Sequence, residues 1–179
     1  MSNRIASHHY YQSCCGRWRS VFQIRITHLS EAFQSIGFFD FLSFVFLALW
    51  PSCLGRVFLE TSVHVELPGP VIHRALVRLW GIPLLRSVER FHLHEDGIHF
   101  SIEGESSSLF LPWKKNPVRG KGRVHSSGMN ASYEVNLNGM SLQQETCLEG
   151  EVLTLYQKGP GWEGHQRLVR QEESEKPGG

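Results

Sequence analysis

His92, His94 and His99 flank Glu95-Asp96-Gly97. Asp-Gly readily supplies the positive φ angles of a two-residue hairpin turn. A turn centred on Asp96 and Gly97 pairs Glu95 with Ile98 and His94 with His99, and places His92 one pair further along the same face. Cross-strand Cβ atoms on one face stand about 4.5 to 5.5 Å apart, close enough for a shared zinc ion. The opposite face contains Phe91, Leu93, Ile98, Phe100 and Ile102. The apolar side therefore points inward and leaves the imidazoles in water, so no metal is expected.

A second constellation lies on the apolar faces. His73 stands among Val71, Ala75 and Val77, and Glu89 shares the face of Phe91 and Leu93. A buried carboxylate needs a donor, which a nearby histidine can supply, and such a couple can satisfy itself, hold a polar group or move a proton. Tyr133 shares a face with Val135 and Leu137 and can present its hydroxyl to a ligand or pack as core. Cys147 has no histidine fixed near it in sequence, which argues against a nucleophile. Gly159 to Gly164, GPGWEG, lacks the Lys-Ser or Lys-Thr of a phosphate loop and reads as a turn with Trp162 exposed or at a rim. Lys114 to Arg123, KKNPVRGKGR, is the one strongly basic stretch, and its Pro and Gly predict a solvated loop.

These side chains must be positioned by strands. Gly16 to Thr27 carries Trp18, Phe22, Ile24 and Ile26 on one face and reads as a first strand. Ser30-Glu31 predicts a helix start, because the hydroxyl accepts an unpaired backbone N–H and the carboxylate complements the helix dipole. An apolar run follows and ends at Pro51, uncharged from Phe41 to Cys53 and carrying Asp40 upstream. It falls short of the roughly 20 apolar residues of a membrane span, so the helical segment 30–50 is expected to cover or plug the fold, with Phe44 facing a ligand. Contact with a membrane surface, and a strand or mixed structure favoured by the Phe and Val content, are the other readings of this run.

After Arg56 period-two alternation dominates: Val57 to Leu67, Val71 to Leu79, a strand to His94, Ile98 to Glu103, then further strands to Val169. Their joins are short enough for antiparallel neighbours, and none leaves room for the crossover helices of a parallel α/β fold. The fold class is therefore mainly β, an antiparallel β-barrel-like meander with one apolar helical block after the first strand. Residues 1–13 are expected to be a flexible arm, 14–170 a single β domain, and 171–179 a flexible tail.

Of the 179 residues 41% are hydrophobic, and 18 Lys and Arg stand against 17 Asp and Glu, a formal net charge of +1. That balance excludes disorder through the body of the chain and argues against nucleic acid as a partner. The four cysteines show neither zinc spacing nor a dense disulfide framework, which predicts reduced thiols and a cytoplasmic protein, with membrane association left open.

The order of one strand, a helical block and a long meander resembles the calycin group, the lipocalin and fatty-acid-binding protein barrels. Gly16-Arg17-Trp18 is similar to the Gly-x-Trp of the first lipocalin strand. The resemblance implies an Arg packed across Trp18, for which Arg167 and Arg170 are candidates, with Arg167 taken alongside Gly16 and Trp18 as a structural residue. It implies binding or carriage of an apolar small molecule or lipid in the barrel interior, without a cofactor, at a site that takes in Phe44, His73, Glu89 and Tyr133. The Arg-x-Tyr pair that grips a carboxylate in fatty-acid-binding proteins is absent near the C-terminus. The competing readings are an enzyme on the same barrel using the inward His/Glu pair, and a membrane-associated structural or interaction domain. Nothing in the sequence fixes the oligomeric state.

Overall fold

A computed structural model describes residues 3–35, 48–50, 55–65, 70–108, 115–125, 130–137 and 140–171. The described chain runs α1 (Asn3–Cys14), β1 (Gly16–Val21), β2 (Ile24–Ile26), α2 (Leu29–Ser35), β3 (Val57–Val65), β4 (Val71–Leu79), β5 (Ile82–Leu93), β6 (His99–Ser108), β7 (Asn116–Val124), β8 (Asn130–Leu137), β9 (Met140–Glu149), β10 (Val152–Gly159) and β11 (Trp162–Gln171). β3 to β11 pair in sequence order, each antiparallel to the next. β1 pairs with β3 on one side and β11 on the other, which closes the sheet, and β2 continues the pairing along β11. β1 and β2 are two halves of one interrupted strand, so the eleven segments form a closed ten-stranded antiparallel barrel. This is the mainly β architecture that the alternation predicts, and closure through β1 leaves, among the described strands, the short β2 alone with a single partner strand.

Alternation assigns the inner wall. Val57, Leu59 and Thr61 of β3, Val71, Val77 and Leu79 of β4, Phe91 of β5, Phe100 and Ile102 of β6, and Leu153, Leu155, Trp162 and Leu168 of β10 and β11 are all buried. Two tight turns show the local chemistry. β4 and β5 are joined at Trp80-Gly81, with φ angles of 51° and 81°, and β10 and β11 at Pro160-Gly161, where Gly161 has φ 72°.

Four expectations change. The N-terminal residues form α1 instead of a loose arm, and Tyr10, Tyr11 and Cys14 of that helix are buried in the barrel core. Three apolar side chains on one helix face give little sequence signal, and the barrel supplies the partner surface. Second, the basic stretch is not a loop: β7 begins at Asn116 with Val118, Gly120, Gly122 and Val124 facing in and Arg119, Lys121 and Arg123 facing out. Two of its inner positions are glycine, so the hydrophobic half of the alternation is missing from the sequence. A Cβ at Gly122 would lie 2.4 Å from both Phe100 Cζ and Tyr133 Cβ, so the aromatic rings occupy that room.

Third, Trp162 stands at the β10–β11 turn but is buried, its indole lying over Gly159, where a Cβ would come within 2.3 Å of Nε1. Fourth, the β5–β6 connection is wider than a two-residue turn. His94 N–H donates to His99 O at 2.9 Å, as the expected register requires, but Asp96 turns its carboxylate back to accept from Ile98 N–H and His99 N–H, both at 2.9 Å. Those N–H groups hold the Asp96 carboxyl well below the usual range, with His99 Nδ1 at 2.6 Å adding to the effect. α2 begins where Ser30-Glu31 predicts a helix, and Ala48 and Leu49 are helical too. Residues 36–47, with Phe44, and the tail from residue 172 lie outside the described residues.

Candidate functional site

The β4–β5 register sets His73 directly opposite Glu89 on the inner wall. His73 Nδ1 lies 3.3 Å from Glu89 Oε2, with side chains 20% and 13% exposed. Gly104 pairs with Glu89 on β6, and a Cβ there would meet Val88 O at 2.2 Å and Glu89 Cα at 2.9 Å. The absent side chain thus lets β6 close tightly behind the pair.

One row along the barrel, Phe91 joins the pair to an aromatic cluster. Its ring centroid is 6.1 Å from His73, 5.5 Å from Phe100 and 5.9 Å from Tyr133. Tyr11 of α1 packs against Phe91 and Phe100, both at 5.7 Å. Tyr10 hydrogen-bonds through its hydroxyl to Thr146 Oγ1, which itself donates to Ala131 O at 3.3 Å. α1 therefore occupies this part of the barrel with the protein's own rings.

Burial decides the protonation states here. The Tyr10, Tyr11 and Tyr133 phenols are pushed well above their ordinary range, chiefly by loss of hydration; the Glu89 charge adds to the effect at Tyr133. Burial likewise pushes the Cys14 thiol up to about 12. All four groups are neutral at ordinary pH, so Tyr133 is a hydrogen-bond donor beside a carboxylate and Cys14 is not a nucleophile. The Cys147 thiol is also raised, by burial and by Glu149, whose carboxylate lies 3.7 Å from Sγ.

The first strand is anchored at its start. Gly16 sits at φ 125°, a conformation open to glycine, and Trp18 is 1% exposed. Trp18 stands opposite Arg170 on β11, and the guanidinium lies 4.6 Å from the indole centroid. Arg170, not Arg167, is therefore the arginine across Trp18. Arg167 is exposed, because it flanks the inward Leu168 and must point out. Trp18 Nε1–H donates to Cys14 O at 2.9 Å and Arg170 Nη2–H to Ser13 O at 2.7 Å, so two side chains of the barrel cap the carbonyl end of α1. Sequence reading missed this role of Arg170 and the insertion of Tyr10 and Tyr11.

His92, His94 and His99 are exposed, as their facing predicts, and the described residues hold no group of three or more metal-ligating side chains. Among the described residues a groove of about 540 Å3 lies beside the β1–β2 break, lined by Phe22, Ile24, Trp50, Arg56, Tyr156 and His165 among others. His73 and Glu89 are not part of it. No helix among the described residues is long and apolar enough to cross a membrane.

No protein-family model and no curated protein sequence matches this chain. Among solved structures it is similar to a secretory abundant heat soluble (SAHS) protein of Ramazzottius varieornatus, at 15% identity and a TM-score of 0.52 over 89% of this chain and 96% of that one. SAHS protein 4 of the same organism aligns over the same shares at 12% identity and a TM-score of 0.49. At 15% identity the first likeness concerns fold alone: a closed antiparallel barrel related to other barrel proteins, without a specific tie to the calycins.

Proposed function

We propose that the barrel binds an apolar or amphiphilic small molecule, a lipid included, in its interior, with His73, Glu89 and Tyr133 as the polar contact. The observation that carries this reading is the inward His73–Glu89 pair. It stands on a wall where Val63, Ala75, Leu85 and Ser87, also inward by alternation, are only half-buried. An ionisable couple on a largely buried wall is costly unless it is partnered, and here His73 Nδ1 and Glu89 Oε2 partner each other, which leaves His73 Nε2 and Glu89 Oε1 as the positions for a ligand's polar group. Phe44 remains the proposed apolar cover of the ligand. The Trp18–Arg170 stack, with Gly16 before it, supports the calycin-like reading of this end of the barrel, and the free thiols of Cys14, Cys15 and Cys147 support a cytoplasmic location.

Native mass spectrometry of mildly purified protein tests the proposal. We expect a retained apolar molecule, released on denaturation and lost or weakened in His73→Phe and Glu89→Leu variants that still fold. A purely apo mass, together with failure to take up a fluorescent fatty-acid or retinoid probe, would sink it. The same 3.3 Å pair is also what an acid–base enzyme on this barrel requires. Chemical conversion of a retained molecule by the wild type, abolished in Glu89→Gln, would favour that second reading; retention of the molecule unchanged would count against it.

A further inference from the structure

The outer wall of β1, β3, β4 and β5 is strongly basic, although the whole chain is nearly neutral. Arg17, Arg19, Arg74, Arg78 and Arg86 all occupy outward positions, flanking the inward Trp18, His73, Val77 and Leu85. Arg56 is exposed at the entry to β3. The only outward carboxylate on these four strands is Glu60, already shared by Arg78 at 3.2 Å and Arg19 at 3.8 Å; Glu89 faces in toward His73. On β9, β10 and β11 the acids Glu145, Glu149, Glu151 and Glu163 are offset by Lys158, Arg167 and Arg170, so those strands are close to neutral while the wall of β1, β3, β4 and β5 is a positive side.

At one end of the positive side the β4–β5 tip is apolar and exposed. Trp80 is 66% exposed, Ile82 52% and the neighbouring Leu49 71%. Trp80 holds φ 51°, a backbone conformation that bulky side chains rarely adopt and that glycine or asparagine would take at a type I′ turn without strain. The indole is steadied from below by Trp50, with ring centroids 5.4 Å apart, and by Gly55, where a Cβ would come within 2.4 Å of Trp80 Nε1. A tryptophan is thus kept at a strained, water-facing position where folding alone favours a smaller residue.

We infer that this face docks on an anionic lipid bilayer, with Trp80, Ile82 and Leu49 entering the headgroup layer and the flanking arginines meeting lipid phosphates and carboxylates. An indole is suited to the interface because its ring is apolar and its N–H is polar. Arg78 and Arg86 lie two and four residues from the tip hairpin's Trp80-Gly81 and Ile82, within about 7 to 14 Å of it at a strand rise near 3.3 Å. That is the range over which surface potential acts at physiological salt. Nucleic acid would also meet the arginines, but it gives no reason for three exposed apolar side chains at the tip.

The test uses the full-length chain with vesicles of phosphatidylcholine alone and of an equal mixture with phosphatidylserine, read by co-sedimentation and by tryptophan quenching from brominated lipid. We expect binding to the anionic vesicles that weakens with added salt. It should fall by about tenfold or more in the triple variant Arg74→Gln, Arg78→Gln, Arg86→Gln, and several-fold in Trp80→Gly and Ile82→Thr. Thermal melts of each variant check that the barrel is folded. Binding that is absent, equal on neutral vesicles, or unchanged in the arginine variant would overturn the inference. So would a single-stranded RNA that binds more tightly than vesicles with no dependence on Trp80. These outcomes are independent of ligand retention in the barrel, so either proposal can fail without the other.

Discussion

The fully buried side-chain amide of Gln166 takes both main-chain groups of Gln23: Nε2–H donates to Gln23 O at 2.6 Å, and Oε1 accepts from Gln23 N–H at 3.0 Å. Gln23 lies in the gap between β1 and β2, where the ladder to a neighbouring strand is interrupted. The amide of Gln166 has the donor and acceptor geometry of a peptide group, so it replaces the missing ladder contacts and keeps the barrel closed across the break.

Replacing Gln166 with Leu should therefore destabilise the protein by about 1 to 3 kcal/mol, because it removes both hydrogen bonds that hold the Gln23 main chain across the break. Urea unfolding measures this as a lower midpoint. A midpoint close to that of the wild type would mean that the break tolerates water and that closure does not depend on this pair.

Arg170→Ala should cost about 1 to 3 kcal/mol through loss of the stack on Trp18, the bond to Ser13 O and the 2.7 Å ion pair with Glu151, whereas Arg167→Ala should stay within about 0.5 kcal/mol. Thermal denaturation of the two variants side by side checks the assignment. Equal effects would contradict the facing of β11.

Tyr10, Tyr11, Tyr133 and Cys14 are all raised in the folded state, so the native protein keeps protons that the unfolded chain has already released at alkaline pH. Stability is thus fully present below the ordinary values of 9.0 for Cys and 10.0 for Tyr and falls as pH rises above them, the Cys14 contribution being spent by about 12. Chemical unfolding at a series of pH values should show this decline, and Tyr133→Phe should make it shallower. A decline of the same slope in the variant would place the alkaline sensitivity elsewhere.

Gly104→Ala should destabilise the barrel by about 1 to 3 kcal/mol, since its Cβ meets the rigid main chain at Val88 and Glu89 and not a side chain able to turn aside. The shift also displaces Glu89 from His73. The His73 ring resonances followed by NMR should move in this variant, while those of the distant His165 should not.

The sequence by itself determined the alternating strands after Arg56, the antiparallel order and the inward facing of His73, Glu89 and Tyr133, because side-chain direction in a strand depends only on parity and the joins are too short for another topology. The choice of Arg170 over Arg167 was legible by the same rule, since Arg170 lies two residues from the inward Leu168. Tertiary structure alone decided the rest. Tyr10 and Tyr11 form a plug only because a closed barrel offers rings to pack on, and β7 is a strand only because Phe100 and Tyr133 fill the space over Gly122. Gln166 finds partners for its amide inside only because the first strand breaks at Gln23, opposite it. Each depends on residues far apart in the chain, and a local pattern carries no record of such partners.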